Sequence, residues 1–439
     1  MSRQDSNINI WGQKLISLML VFLGISFAGM LILGNYYGQS ITQALSFQIQ
    51  DNVQYDSGFG THSFGDFQEL RYALPTEKYP NNWQNGSNAY TPLALLPHVA
   101  AKIVELEFGV QNSLLFYLFI ITLGLVAPGL YATRSSTKLQ EKILLFLLLF
   151  IFAQPVITSF DRGNSSVLAV PFLMIFAAKF QKNPDWVATI SLIIAAAIRP
   201  QYALLGIAFL VSRQFRSLFH SVVGVLCATL VPFLLWPGET FANIRSWLKN
   251  LQGYGWHSSS RPSDAFPTNL SMSSSFQMSN SQYFYVITSV VVLALIIFVF
   301  WVFRTPDGRG RLLITTLSLP CLIPQLSYSY YGVFVLVIAS LIIRDANFLS
   351  SRSENLTETS DPNSFEPSEI YNYLVIIVVA ISLAPLPFVH EVGRNSISLE
   401  NFSTMWTIML IATLAQQIIQ WRIFRRDRES KSTAEISLV

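Results

Sequence analysis

The chain has 439 residues, of which 51% are apolar and only 12% are charged, and its formal net charge is +3. A soluble domain contains about 25% charged residues, so this composition excludes an ordinary soluble enzyme. The small net charge does not favour a nucleic-acid partner. The two cysteines, Cys227 and Cys321, both fall in apolar segments, which excludes a disulfide framework or a thiolate metal cluster as the organising feature.

Apolar segments recur along the whole chain, and many are long enough to cross a membrane, which takes about 20 residues as a helix. We therefore predict an all-α polytopic membrane protein of about 12 transmembrane helices, within a range of roughly 10–13. The predicted spans are 14–35, 112–133, 143–158, 165–179, 186–198, 201–212, 217–236, 284–303, 312–325, 327–344, 371–389 and 402–424. The short pair 186–198 and 201–212 could instead form one broken or re-entrant span.

The distribution of Lys and Arg indicates the sides of the membrane. If the N-terminus is cytoplasmic, every connection on the same side is basic, including the segment 422–428. We therefore predict a multi-pass plasma membrane protein with both termini in the cytoplasm. Two long loops, 36–111 and 237–283, then lie outside. Both are rich in aromatic residues, and we expect interfacial helices in them, one over 92–107, where apolar residues follow one helical face.

The same pattern divides the chain into four regions. Residues 1–344 form the main predicted transmembrane region, which contains all the candidate site residues described below. Residues 345–370 are rich in Ser, Asn, Glu and Pro, a composition typical of a flexible linker, here on the cytoplasmic side. Residues 371–424 are predicted to form a C-terminal pair of transmembrane helices, and 425–439 a basic cytoplasmic tail.

Three charged positions are candidates for chemistry. Asp66 lies between aromatic residues in the first long loop, and a carboxylate in a partly apolar pocket can act as a general base; it could also be a solvated or capping residue. Arg162 and Asn164 follow Asp161 in a tight polar turn, where they could bind an anionic or hydroxylated ligand, or Arg162 could pair locally with Asp161. Arg199 lies between two apolar segments. Its side chain could extend to the membrane edge or bind a phosphate.

Other motifs are weaker or missing. The aromatic segment 327–331, with Tyr330 and Tyr331, could contact a sugar or belong to an interfacial aromatic belt. The histidines His62, His98, His257 and His390 lack metal-ligand spacing, and no nucleotide-binding glycine loop is present. Acidic residues are nearly absent from the spans, which disfavours a proton- or sodium-coupled transporter.

Four motifs in order carry a resemblance: Gly65-Asp66-Phe67, Tyr90-Thr91-Pro92-Leu93, Arg162-Gly163-Asn164 and Ile198-Arg199-Pro200-Gln201. Their order over roughly 10–335 resembles the GT-C class of integral membrane glycosyltransferases. Within that class it resembles the bacterial polyprenol-phosphate-mannose-dependent mannosyltransferase family. The chain departs from the family pattern in the threonine of the second motif, in a missing glutamine of the third and in an arginine where lysine is usual.

The resemblance implies GT-C architecture and transfer of a hexosyl group, such as mannosyl, from a polyprenyl-phosphate-linked sugar to a lipid or glycan acceptor on the non-cytoplasmic face. It implies Asp66 as general base, and Arg199 with Arg162 as ligands of the donor phosphate. The residues expected to bind substrate are Asn164, Gln201, Tyr90, Tyr330 and Tyr331. No cofactor is predicted, although a divalent metal stays open. The alternatives are a lipid-linked saccharide flippase or other multi-span transporter, and a non-catalytic scaffold.

Overall fold

The computed structural model describes residues 8–37, 64, 66–67, 90–253, 271–272, 282–305, 308–324, 327, 329–345, 347–349, 367–385 and 397–436. All regular elements in these residues are helices. The α-helices are α1 (Ile10–Tyr37), α2 (Pro92–Phe108), α3 (Val110–Thr133), α4 (Leu139–Phe146), α5 (Gln154–Arg162), α6 (Val170–Lys182), α7 (Trp186–Ile198), α8 (Gly206–Val211), α9 (Phe215–Leu234), α10 (Thr240–Gly253), α11 (Gln282–Val302), α12 (Arg309–Leu322), α13 (Phe334–Arg344), α14 (Pro367–Leu383) and α15 (Ile397–Ile436). A π-helical segment (Leu147–Ile151) and 3₁₀ segments (Ser165–Ala169, Pro200–Leu205 and Ser329–Val333) lie between them.

Long apolar helices dominate the described part of the chain. Six of them are long and apolar enough to cross a membrane, or seven if a bent pair forms one span. Shorter apolar helices accompany them, including α7 and α14. Every predicted span overlaps a helix of the structure, and the predicted all-α polytopic architecture is confirmed.

Two breaks in these helices shape one end of the bundle. The first lies between the π-helical segment and α5, where the axis bends by 47° and Pro155 occupies the first turn of α5. Proline cannot donate a backbone hydrogen bond, so it tolerates the start of a helix but not its interior. The second lies at Arg199, which has extended backbone angles (φ −138°, ψ 109°). Pro200 disfavours the helical conformation for the residue before it, so α7 ends at Ile198.

Contacts at the opposite end of the bundle join residues predicted to be cytoplasmic. The Asn9 side-chain amide donates to the Ile342 carbonyl over 2.8 Å, which ties the start of α1 to the end of α13. The Arg309 guanidinium donates to the Lys182 carbonyl over 2.6 Å, between α12 and the end of α6. Both contacts join segments that the charge pattern assigns to the same side of the membrane.

The two long loops contain helices. The helix predicted over 92–107 corresponds to α2, and α10 lies in the second loop. Leu95 of α2, Phe233 of α9 and Trp247 of α10 form a small buried cluster that joins these three helices. Most of 38–89 lies outside the described residues, as do 346 and 350–366 of the predicted linker. Helix α14 already begins at Pro367, and α15 continues through the predicted tail to Ile436.

Candidate active site

The site forms around the sharp turn that ends α5. Gly163 adopts the left-handed conformation (φ 64°), and its amide donates to the carbonyls of Ser159 and Phe160, which ends the helix. A Cβ atom added at this glycine would lie 3.1 Å from Cβ of Phe67. Only glycine combines this conformation with such close packing at low cost. The turn directs Arg162 and Asn164, on either side of Gly163, toward the segment that carries Asp66.

Asp66 is buried, with 7% of its surface exposed. Its Oδ1 accepts a hydrogen bond from Arg162 Nη2 over 2.8 Å, which forms an ion pair. Its Oδ2 accepts a hydrogen bond from Asn164 Nδ2. The backbone amide of Phe64 donates to the carbonyl of Asp161, which fixes this segment against the end of α5. Donors of this kind favour the ionised carboxylate, the form that accepts a proton.

Asn164 connects the acidic and basic parts of the site. Its Nδ2 donates to Asp66 and to the Tyr90 hydroxyl, the latter over 2.8 Å. Its Oδ1 accepts from Arg199 Nη2 over 3.1 Å and from the Ser166 amide over 2.8 Å. A side-chain amide offers two donors and two acceptor lone pairs. All four are used here, so the orientation of the amide is determined by its partners.

Arg199 lies on the other side of the same amide and is 5% exposed. Its guanidinium carbon is 3.7 Å from the centre of the Tyr90 ring and 5.7 Å from that of Tyr331. A stacked guanidinium of this kind gains cation–π attraction. Burial raises the pKa of Tyr90 well above its usual range, and the smaller effect of Arg199 opposes this. The Tyr90 hydroxyl therefore stays protonated at physiological pH.

Tyr117 and His98 are buried beside the turn at Gly163. Sequence reasoning did not assign either residue to the site. The Tyr117 hydroxyl of α3 donates to the Gly163 carbonyl over 2.9 Å and lies 3.1 Å from Nε2 of His98 in α2. Because the single phenolic proton is used, His98 must donate through Nε2. Burial, with a smaller contribution from Arg199, lowers the pKa of His98 to about 3, so its ring is neutral. A tyrosine inside an apolar span was the available signal for this pair.

The threonine that departs from the family pattern has a structural role. The Thr91 hydroxyl donates to the Ala197 carbonyl over 2.6 Å, at the end of α7. Its oxygen also accepts from the Ala94 amide at the start of α2. A proline at this position could make neither contact. Thr91 thus joins the beginning of α2 to the residues just before Arg199.

The remaining predicted site residues are arranged differently. Tyr331 is buried beside Arg199. The Gln201 side chain donates to the Pro320 carbonyl over 3.0 Å and connects the 3₁₀ segment to α12. The side chain of Tyr330 lies outside the described residues. Within the part of the chain that the structure describes, no group of three or more His, Cys, Asp or Glu side chains could hold a metal ion.

The helical bundle with its buried cluster of polar and charged side chains is that of an integral membrane protein with a candidate polar site. The sequence model of glycosyltransferase family 87 matches residues 88–324. The match covers more than half of the chain, and the protein belongs to this family of GT-C-type integral membrane glycosyltransferases. Neither the curated proteins nor the solved structures contain a match to it. The matched segment includes Tyr90, Arg162, Asn164 and Arg199, whereas Asp66 precedes it.

Proposed function

We propose that this membrane glycosyltransferase transfers a hexosyl group, with mannose as the first sugar to test, from a polyprenyl-phosphate-linked donor to a lipid or glycan acceptor. One observation carries the proposal. Asp66 and Arg199 bind opposite sides of the same Asn164 amide, so a candidate base and a candidate phosphate ligand share one buried site. Catalytic groups must reach one substrate together.

The proposed reaction is a single displacement with inversion at the anomeric carbon. Asp66 accepts the proton of the acceptor hydroxyl as its oxygen forms the new bond to the anomeric carbon. The bond from that carbon to the phosphate oxygen breaks, and the polyprenyl phosphate leaves with the electron pair. Arg199 stabilises the charge that develops on the leaving phosphate. Tyr90 and Tyr331 flank Arg199 and, in this proposal, bound the donor site.

Arg162 takes two tasks in this proposal. Its ion pair with Asp66 orients the carboxylate and favours its charged form. It also brings a second positive charge into the same site as Arg199, where it would attract the donor phosphate. In this proposal, Asn164 orients these groups through its hydrogen bonds. Gln201 mainly connects the 3₁₀ segment to α12 through the Pro320 carbonyl.

We further propose that the site faces the non-cytoplasmic side of the plasma membrane and that both termini are cytoplasmic. The basic connections support this, because Lys and Arg are enriched in cytoplasmic loops. A donor delivered within the membrane by its lipid also agrees with the missing nucleotide-binding motif in the sequence. Labelling of cysteines introduced at position 2 and in the 68–89 segment, from each side of sealed vesicles, tests this orientation.

The test of function is sugar transfer by the purified protein in nanodiscs. Radiolabelled polyprenyl-phosphate mannose is the donor and a total membrane lipid extract the acceptor pool. We expect a labelled product that disappears in Asp66→Ala and persists in Glu107→Gln, a matched control at an exposed acid of α2. If mannose gives no product, other polyprenyl-phosphate sugars are tested as donors. Absence of product with all of them refutes the proposed polyprenyl-phosphate donor and leaves the family membership unchanged. Repeating the assay with EDTA tests for a divalent metal.

A further inference from the structure

Tyr117 of α3 is completely buried and holds the backbone just before Asn164. Its hydroxyl donates to the Gly163 carbonyl over 2.9 Å. The amide nitrogen of the same peptide bond, which belongs to Asn164, donates to the Ser159 carbonyl over 3.4 Å. Because a peptide bond is planar, these two hydrogen bonds fix the plane from which the Asn164 side chain starts.

The Tyr117 ring also belongs to a row of four aromatic side chains, called the aromatic row below. Its centre lies 4.8 Å from that of the Phe67 ring and 4.7 Å from that of the His98 ring. The His98 ring lies 6.3 Å from the Tyr90 ring, in an edge-to-face arrangement. These separations fall in the favourable range for aromatic pairs, about 4.5–7 Å, so the four rings form one continuous set of contacts.

The two ends of the aromatic row lie beside the two proposed reactive groups. Phe67 follows Asp66 in the chain, and Tyr90 stacks on Arg199. Asn164 joins the same two groups through its hydrogen bonds. The base and the phosphate ligand are thus connected twice, once by the side-chain amide and once by the aromatic row. Their separation is therefore constrained by a closed ring of contacts.

We propose that Tyr117 is a positioning residue of this site and that His98 acts through it, an inference that rests on the proposed function. By fixing the direction of Asn164, Tyr117 sets the spacing between the base and the phosphate ligand. Tyr117 and His98 are 0% and 1% exposed, so neither side chain touches a substrate. Nδ1 of His98 has no hydrogen-bond partner among the described residues, so the polar contact of this ring is the Tyr117 hydroxyl.

Tyr117→Phe tests the role of the hydroxyl, because it keeps the ring and removes only the contacts with Gly163 and His98. We expect kcat for sugar transfer to fall by about 10–10²-fold, since a displacement of about 1 Å can cost about 10²-fold. The KM values for donor and acceptor should stay unchanged. Tyr371→Phe is the matched control, because its buried hydroxyl lies 3.2 Å from Thr413 Oγ1, between α14 and α15. This control should lower Tm without changing kcat.

The double variant His98→Phe/Tyr117→Phe separates positioning from stability. It leaves no unpaired donor at His98, so its Tm should recover from the Tyr117→Phe value. Its kcat should stay at the Tyr117→Phe level, because the Gly163 carbonyl still lacks this donor. His98→Phe alone should reduce kcat less, since the Tyr117 hydroxyl still reaches Gly163. Recovery of kcat together with Tm, unchanged kcat in Tyr117→Phe, or a rise in KM in place of the loss of kcat overturns the proposal.

A second measurement does not depend on turnover. A carbodiimide modifies protonated carboxyl groups, and the ion pair with Arg162 keeps Asp66 charged and so protects it. We expect mass spectrometry to show faster modification of Asp66 in Tyr117→Phe than in the wild type or Tyr371→Phe. Equal rates in the three proteins overturn the positioning role, even where the wild type transfers sugar. Absence of transfer from every polyprenyl-phosphate sugar, with faster modification in Tyr117→Phe, refutes the proposed donor and keeps the positioning role.

Discussion

Replacing Asp66 with asparagine should affect stability and catalysis together, because this carboxylate forms a buried ion pair and is the proposed general base. Asp66 and Arg162 are a buried pair at 2.8 Å. Removing one member of such a pair leaves the other charge uncompensated and costs about 3–5 kcal/mol. Loss of a general base lowers kcat by about 10²–10⁴-fold. The single variant alone therefore cannot distinguish a catalytic aspartate from a structural one.

A double-mutant cycle separates the two effects. Arg162→Gln leaves Asp66 as an unpaired buried charge, so it should destabilise the protein by a similar amount, about 3–5 kcal/mol. The double variant Asp66→Asn/Arg162→Gln replaces the ion pair by two neutral amides that can hydrogen-bond each other. We expect it to recover most of the stability, because neither charge is left alone, but to stay at least about 10²-fold below wild type in kcat because no base is present.

Thermal unfolding in detergent measures the stability part of this cycle, and single-turnover transfer from polyprenyl-phosphate mannose measures the chemical part. The exposed acid variant Glu107→Gln should change neither. If the double variant regains transfer in parallel with stability, the base assignment of Asp66 is wrong and its role is to hold Arg162.

Three further variants test the surroundings of the site. Gly163→Ala forces a left-handed backbone and a 3.1 Å contact with Phe67; it should cost about 1–2 kcal/mol in thermal unfolding and lower kcat. Thr91→Val loses a helix cap and the bond to the Ala197 carbonyl; it should cost about 1–2 kcal/mol, and Thr91→Ser should restore most of this. The depressed pKa of His98, about 3 against 6.5, gives stability that is present above pH 6.5 and is lost as the pH falls toward 3. The loss should reach about 2 kcal/mol at pH 5 in unfolding experiments, and His98→Gln should abolish that pH dependence.

The spans could be predicted because apolar length is a direct requirement of the membrane, and the end of α7 could be predicted because Pro200 restricts its neighbour. The ion-pair partner of Arg162 could not be predicted from the sequence. Sequence adjacency favoured a local pair with Asp161, whereas the left-handed turn at Gly163 directs Arg162 to Asp66, 96 residues earlier in the chain. Side-chain direction after such a turn depends on tertiary packing, which local sequence does not determine.

The same limit applies to the polar residues that contact helices. Gln201 follows Arg199 in the motif and is expected to bind substrate, and its side-chain amide also donates to the Pro320 carbonyl, a partner 119 residues away that local sequence does not indicate. Tyr117 and His98 lie in separate helices, and only the packing of α2 against α3 brings their polar atoms within 3.1 Å. No spacing rule within one segment predicts such a pair.

The assignment of the reaction class and the assignment of the base rest on independent observations. Family membership comes from residues 88–324, a segment without Asp66, whereas Asp66 enters through its contacts with Arg162 and Asn164. If Asp66 is not the base, the protein is still a glycosyltransferase, but another group must take the acceptor proton. Asp161 is the residue to examine in that case, because its side chain interacts electrostatically with Asp66 and its carbonyl binds the same segment. Transfer that survives Asp66→Asn but not Asp161→Asn would assign the base to Asp161 at the end of α5, and Arg199 would remain the proposed phosphate ligand.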